Sequence, residues 1–571
     1  MIETLPGRVA SLARRRPRGP AVISLDAAGV RVWDWSRLWQ ESQRIAALLV
    51  ASGVRPGEAV ACQMANRAEF VAITIGTLLA GAVCCPLMPI FRERELGYML
   101  GRARVRVLFI MDRYHGRDPL AEVSSIESQV PSLEIVFVLA ADGSDGRARG
   151  DALAHDGRVR HVWLQAAQWD AKDQASHITA ARVESTALAQ LLFTSGTTGE
   201  PKGVLHRADV LDLAVRMQID HLGLTAADRI YIPSPLAHQT GFLYGMWLAL
   251  RLGVPQILQE SWEPRLALAV LEEWSGTFVQ AATPFLADLV QAVEERGGAS
   301  EGAKPCSLRL FVATGTTVPR ALAARASRVL GTRVCGAFGT TEGCLATLGS
   351  PADSPEKACG TDGRPLAGIE VRTCDEAGWK LPAGVEGQLQ TRSPTMFQGY
   401  LERPDWTAAA YTDDGWYRTG DLAMIDAEGY LRLTGRLKDV VNRGGEKIPV
   451  VEIEQLLHEH EAVREVAIVG MPDARLGERA CAFIVMRQSR SDPAGEAGDA
   501  TALLDLPAVQ AFLDRRRVAK QYWPEHVEIV AELPKTPSGK VRKYLLRERA
   551  KKLTSESTAE STMALSTGVG V

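Results

Sequence analysis

The pattern of apolar and polar positions changes character twice along the chain. Over residues 35–53 the apolar positions Leu38, Ile45, Leu48 and Leu49 recur near helical spacing, which predicts an amphipathic helix that stops at Gly53. A turn over 54–58 leads into a short buried strand at 59–62. Residues 69–81 are apolar on most faces and predict a buried helix, and the runs at 105–110 and 135–139 predict strands. Residues 141–186 are polar and read as a surface connection. After it, helical patterns at 210–222, 241–253, 265–274 and 285–295 alternate with apolar runs at 229–232, 278–281 and 308–313. That alternation predicts an α/β fold with a mostly parallel sheet. From about residue 360 the texture becomes short strands (369–372, 387–391) between Gly, Pro and Asp turns, as in a small barrel or twisted sheet. Beyond Arg436 a third pattern starts, with helices at 451–460 and 506–518 and strands at 466–469 and 482–485, enough for a separate small domain. Residues 551–571 are rich in Ser, Thr and Ala, which predicts a disordered tail.

Composition narrows the class without naming it. A chain of 571 residues with 46% hydrophobic and 23% charged residues is an ordinary globular protein of several domains. Its net charge of −3 gives no electrostatic reason to expect a nucleic-acid or anionic-membrane partner. The nine cysteines are scattered without a C-x-x-C, and the one close pair, Cys84 and Cys85, is adjacent in an apolar run. This usage fits reduced thiols in a cytoplasmic enzyme. The first seven residues lack a secretory pattern, and no uninterrupted apolar segment is long enough to predict a transmembrane helix.

The chemistry concentrates first at residues 191–204, LLFTSGTTGEPKGV. An apolar run breaks into Thr194, Ser195, Gly196, Thr197, Thr198 and Gly199, followed by Lys202. Successive N–H groups in such a loop form a concave anion site, the hydroxyls add donors and the lysine adds charge. The string is not the usual G-x-x-x-x-G-K-[ST] loop, because Pro201 stands where the second glycine belongs and Gly203 follows the lysine. It closely resembles the phosphate loop of the adenylate-forming superfamily, which comprises acyl-CoA synthetases, beetle luciferases and the adenylation domains of peptide synthetases.

Further segments agree with that family in its order, each with a physical task. In PLAHQTGF (235–242) a lone histidine would ordinarily be structural, but the resemblance makes His238 a gate beside the carboxylate pocket. Thr314, Gly315 and Thr316, at the end of an apolar strand, resemble one wall of the adenine site. In AFGTTEG (337–343) the ring of Phe338 can stack on adenine and the Thr341 hydroxyl can reach the α-phosphate, while the hard oxygens of Glu342 suit Mg²⁺. Gly339 and Thr340 complete this segment, Thr194 is the second residue expected on the metal side, and the family often carries tyrosine in place of Phe338. Asp421 ends a ribose-binding string, Arg436 reaches the same sugar, and Lys438 resembles the hinge between domains. Gly444, Gly445 and Glu446 fall where the family passes a pantetheine arm, although Pro449 stands one place earlier than usual. Lys540, in PKTPSGK, resembles the mobile catalytic lysine, and the basic run Arg515–Arg517 with Lys520 reads as a solvated helix face.

The resemblance implies a large N-terminal domain (1–437) of two packed α/β layers plus a small β barrel, a mobile α+β C-terminal domain (438–550) and a site at their junction. It implies an AMP-forming acyl-CoA synthetase that uses ATP, Mg²⁺ and CoA, as a monomer or homodimer. The catalytic set would be Thr194, Lys202, His238, Glu342 and Lys540. His238, Thr240, Gly241, Phe242, Ala337, Gly343 and Cys344 would line the acyl pocket. Small or apolar types there, with no cation for a second carboxylate, predict a neutral short- or medium-chain or alicyclic acid of the cyclohexanecarboxylate kind. Aromatic acids are the alternative. An adenylating enzyme with another acceptor, a carrier protein or oxygen as in luciferases, is the alternative of a different class. A peptide-synthetase domain is disfavoured, because no acidic residue accompanies His238 and too little chain follows Lys540 for a carrier domain.

Overall fold

The computed structural model describes residues 3–26, 29–140, 158–164, 184–194, 200–297, 306–315, 320–444, 446–473, 475–487, 504–536 and 539–566. Two large mixed sheets share one core. In the first, nine strands include a parallel set built from Gln256–Gln259, Ile230–Ile232, Phe278–Ala281, Leu310–Ala313 and Arg333–Thr340. In the second, eight strands include the parallel set Val83–Leu87, Ala59–Gln63, Val107–Met111 and Ile135–Leu139. A single hydrophobic cluster contains Phe109 and Phe137 of the second sheet, Phe278 and Val312 of the first, and Leu38, Phe70 and Val215 from three helices. Helix Ala68–Leu79 explains how the layers close: every residue except Glu69 is buried, as expected of a segment apolar on all sides. Helix Trp35–Ala51 starts where the Asp34 carboxylate accepts the N–H of Arg37 at 2.7 Å.

Residues 370–436 supply a four-stranded antiparallel sheet, Glu370–Cys374, Gly387–Arg392, Tyr417–Ile425 and Leu431–Arg436. Beyond it, the long hairpin Val463–Asp473/Gly477–Met486 pairs with His526–Ile529 and carries its own apolar clusters on two sides.

Two expectations need correction. The polar stretch 141–186 contains a strand, Arg160–Trp163, which extends the second sheet in parallel with Ile135–Leu139; its described part is not merely surface connection. The tail expected to be disordered from residue 551 instead continues a helix, Lys543–Ser566. This span has no Gly or Pro and carries Ala, Leu, Lys, Glu and Met among its Ser and Thr, so helix propensity outweighs its small-residue composition. Residues 567–571 lie outside the described residues.

Candidate active site

The loop string belongs to a hairpin between strands Leu188–Thr194 and Lys202–Arg207, with Thr194 opposite Lys202 in the register. Residues 195–199 and Thr316 lie outside the described residues, as does Gly445; the side chains of Lys438 and Glu446 do too. The backbone places Lys438 in a short 3₁₀ turn, Leu437–Asp439, at the end of the four-stranded sheet.

The Lys202 ammonium sits on an aromatic shelf, 4.9 Å from the ring centre of Tyr400 and 5.3 Å from that of Trp406. The Tyr400 hydroxyl donates to Glu342 Oε1 at 2.8 Å, so one side chain touches both charged residues. Glu342 lies in the tight turn between strands Arg333–Thr340 and Cys344–Leu348. That turn is fixed by the Gly343 N–H donating to Thr340 Oγ1 at 2.9 Å, and by fully buried His206, whose Nε2 lies 2.7 Å from the Thr341 carbonyl. A carbonyl only accepts, so Nε2 carries the ring proton. Burial pushes the His206 ring down to about 4, with the bond to Thr341 opposing, and the ring is neutral.

On the far side, buried Asn66 braces the loop before His238. Its amide donates to the carbonyls of Ile232 at 3.3 Å and Ser234 at 3.0 Å, and its own carbonyl accepts the Leu236 N–H at 2.7 Å. His238 accepts the Thr240 N–H through Nδ1 at 3.2 Å, which leaves the proton on Nε2. Burial, and then the positive charge of Lys540, push this ring down to about 3. The next turn is crowded: a Cβ on Gly241 would lie 2.2 Å from the Pro235 carbonyl oxygen, so only glycine fits. Phe242–Trp247 is wound as a π-helix, a local form that recurs at functional sites. Tyr244 Oη accepts the Leu345 N–H at 2.6 Å and ties this helix to the strand that starts at Cys344. Phe242 and Cys344 are buried, and burial pushes the Cys344 thiol up to about 12, which removes it as a nucleophile.

A cleft of about 2280 Å³ opens between the large N-terminal part and the C-terminal segment. Gly315, Ala337, Phe338, Gly339, Asp421 and Arg436 line it from one side, and Lys540 lines it from the other. Asp421 and Arg436 face each other across two strands, with Arg436 Nε 2.9 Å from Asp421 Oδ1. Gly315 has φ +87°, and a Cβ there would lie 3.3 Å from the Lys540 Cε, so the lysine reaches the strand end that carries Thr314. The structure therefore brings the expected adenine, ribose and lysine positions to one cleft. Gly444, by contrast, does not line it and stands exposed on the hairpin Val441–Arg443/Glu446–Ile448.

Among the described residues, no group of three or more His, Cys, Asp or Glu forms a metal cage. A lone Glu342 suits Mg²⁺ all the same, because that ion is commonly held by one or two carboxylates together with substrate phosphates. No helix among the described residues is long and apolar enough to cross a membrane. Four residues escaped the sequence reading: Tyr400, Trp406, His206 and Asn66. The string GYLERPDW (399–406) carried a signal in its two aromatics; a lone His or Asn carried none.

Comparison with known proteins places these segments in context. The family model described as AMP-binding enzyme matches residues 9–401, and that of the AMP-binding enzyme C-terminal domain matches 452–540. The medium-chain fatty-acid–CoA ligase of Escherichia coli K12 is 33% identical over 536 residues, covering 94% of this chain and 88% of that protein. The 2-hydroxy-7-methoxy-5-methyl-1-naphthoate–CoA ligase of Streptomyces carzinostaticus is 31% identical over 550 residues, with 94% and 92% covered. The crystal structure of the anthranilate CoA ligase AuaEII in complex with anthranoyl-AMP is 25% identical, with a TM-score of 0.81 over 96% of this chain and 98% of that one.

Proposed function

The chain belongs to the AMP-binding enzyme family, and from that premise we propose that it joins a neutral monocarboxylic acid to CoA at the expense of ATP. The observation that carries the reading is the position of Lys540, which enters the nucleotide cleft from the C-terminal segment, beside Gly315 and close enough to His238 to depress its ring. In the first half-reaction a substrate carboxylate oxygen attacks the α-phosphorus of ATP. The bond to the bridging oxygen breaks, pyrophosphate leaves and an acyl-adenylate remains. The protein contributes position and charge rather than covalent chemistry. Phe338 and Gly315 hold the base, Asp421 and Arg436 the ribose, and Thr194 and Lys202 the phosphates. Lys540 bridges the carboxylate and the α-phosphate, where charge develops. Neutral His238 presents Nε2–H as a donor to the acid without adding a second cation. Glu342, with Thr194, would hold Mg²⁺, which neutralises phosphate charge when bound.

In the second half-reaction the CoA sulfur attacks the acyl carbon, AMP leaves and the thiol proton passes to solvent. Lys540 lines the cleft while Gly444 does not, which supports a rotation about Lys438 that exchanges the lysine for the Gly444–Glu446 passage. The acid we favour is short- or medium-chain or alicyclic, of the cyclohexanecarboxylate type. Phe242, Ala337 and Cys344 are small or apolar and buried, which suits an apolar acid tail. An aromatic acid is the second reading, supported by the naphthoate and anthranilate ligases among the relatives.

The test is a panel of C2–C16 fatty, cyclohexanecarboxylic, benzoic and amino acids with ATP and Mg²⁺, each run with and without CoA. Pyrophosphate release and thioester mass are scored. CoA-dependent thioester from one acid class is the expected result. Pyrophosphate without thioester would move the acceptor to a carrier protein or oxygen.

A further inference from the structure

We propose that Tyr400 is a positioning residue that keeps the Lys202 ammonium and the Glu342 carboxylate from neutralising each other, so that both remain directed at the triphosphate. Two opposite charges that must both serve one ligand are a liability in its absence. If they pair, ATP has to break the pair before it can bind. Here no direct ion pair joins them; each is satisfied by a different part of the same phenol. The hydroxyl donates to Glu342 Oε1 at 2.8 Å, and the ring lies 4.9 Å from the Lys202 Nζ. A ring face attracts a cation without cancelling its charge, and a phenol O–H does the same for a carboxylate.

The phenol is itself held from three directions. Strand Gly399–Tyr400 pairs antiparallel with Val204 and Leu205, two residues along from Lys202. The Tyr400 N–H donates to Thr407 Oγ1 at 2.9 Å, within helix Pro404–Ala409. The ring of Phe397 meets that of Tyr400 edge-on at 4.9 Å, and Tyr400 is only 6% exposed. Phe397 also donates its N–H to the Glu342 carbonyl at 2.7 Å, so the shelf and the carboxylate turn are one unit. Trp406 extends the shelf beneath Lys202, and the Arg403 guanidinium stacks on the Trp406 ring at 3.5 Å.

The test uses the full chain and calorimetric titration with ATP, once in EDTA and once with MgCl₂. Tyr400→Phe retains the ring and removes the hydroxyl. ATP alone should bind as to the parent protein, while the gain from Mg²⁺ falls roughly tenfold or more, the usual cost of losing a hydrogen bond to a metal-binding carboxylate. Tyr400→Leu removes the ring as well, and metal-free ATP binding should weaken by roughly 2–5-fold. Adding Glu342→Gln to Tyr400→Leu should restore the metal-free affinity, because the freed lysine then has no carboxylate to pair with. A purely structural tyrosine would show no such rescue. An unchanged Mg²⁺ gain in Tyr400→Phe overturns the proposal, and so does an equal loss of binding in both buffers with a lowered melting temperature. The proposal rests on the ATP-binding half of the reading above. Intact ATP binding with a silent acid panel would overturn the ligase assignment and leave this one standing.

Discussion

Replacing Gly241 by alanine tests whether backbone crowding sets the acid-binding wall. The added Cβ would lie 2.2 Å from the Pro235 carbonyl oxygen, 2.6 Å from its carbon and 2.7 Å from the Ser234 carbonyl oxygen. All three atoms are backbone, so no side chain can swing aside. Restoring ordinary contact requires a shift of about 1 Å in the segment that carries His238, and displacements of that size at a reacting centre cost on the order of 100-fold in rate. Overpacking of this kind also costs about 1–3 kcal/mol of stability. The assay is ATP–pyrophosphate exchange with the best acid from the panel, together with denaturant unfolding. Gly101→Ala is the control: its Cβ would meet only the Gln129 carbonyl at 3.9 Å, inside helix Glu93–Arg102, where alanine is favoured by about 1 kcal/mol. Exchange at the parental rate in Gly241→Ala, with normal stability, would refute the argument that this turn positions His238.

Two further outcomes are expected. Lys540→Ala should suppress adenylation by at least roughly 10²–10³-fold while largely sparing thioester formation from a supplied acyl-adenylate; equal loss in both halves would refute the two-conformer assignment. Buried His206 and half-buried His458 and His238 set a pH dependence: desolvation holds His206 and His458 down to about 4, and desolvation with the Lys540 charge holds His238 down to about 3, against about 6.5 in an unfolded chain. Depressed values mean that the folded state favours the neutral ring, so this stabilisation is complete above about pH 6.5 and is lost as pH falls towards 4. The slope is on the order of 1.4 kcal/mol per pH unit for each ring. Denaturant midpoints at pH 7, 5.5 and 4.5 should show it, and His206→Gln, which keeps an N–H for the Thr341 carbonyl without titrating, should reduce it.

The parts legible in the sequence were those that act through contiguous residues. The segments read as phosphate loop, adenine wall and ribose strand are each a run of small or charged types whose expected chemistry is local, and the described residues Gly315, Phe338, Gly339, Asp421 and Arg436 of the last two line one cleft. Residues that act across the fold were not legible. Asn66 works only because the loop beginning at Ile232 returns to it, and His206, in the second sheet, only because the Thr341 turn of the first sheet comes against it. Tyr400 and Trp406 stand out only as two aromatics in a polar string, and their task shows once Lys202 and Glu342 are placed beside the phenol. In the helix Lys543–Ser566 composition and propensity conflict: the Ser, Thr and Ala content points to disorder, while the lack of Gly and Pro permits a helix.

The pairing of Gly399–Tyr400 with Val204–Leu205 also bears on how the protein is made. The strand Lys202–Arg207 forms the margin of the second sheet until that pairing forms, and the residues that close it leave the ribosome only after the first sheet's strands from Ile230 to Leu348 have been synthesised. The first sheet is entangled in the same way, since strand Pro20–Asp26 must wait for its parallel partner Gln256–Gln259. Such separations slow folding and leave strand margins open to pairing with other chains while synthesis continues. A ribosome stalled before residue 399 would therefore present a nascent chain with the Leu188–Thr194/Lys202–Arg207 hairpin uncovered at its outer strand. The second sheet thus gains its last neighbour at this margin only after most of the large domain has been synthesised.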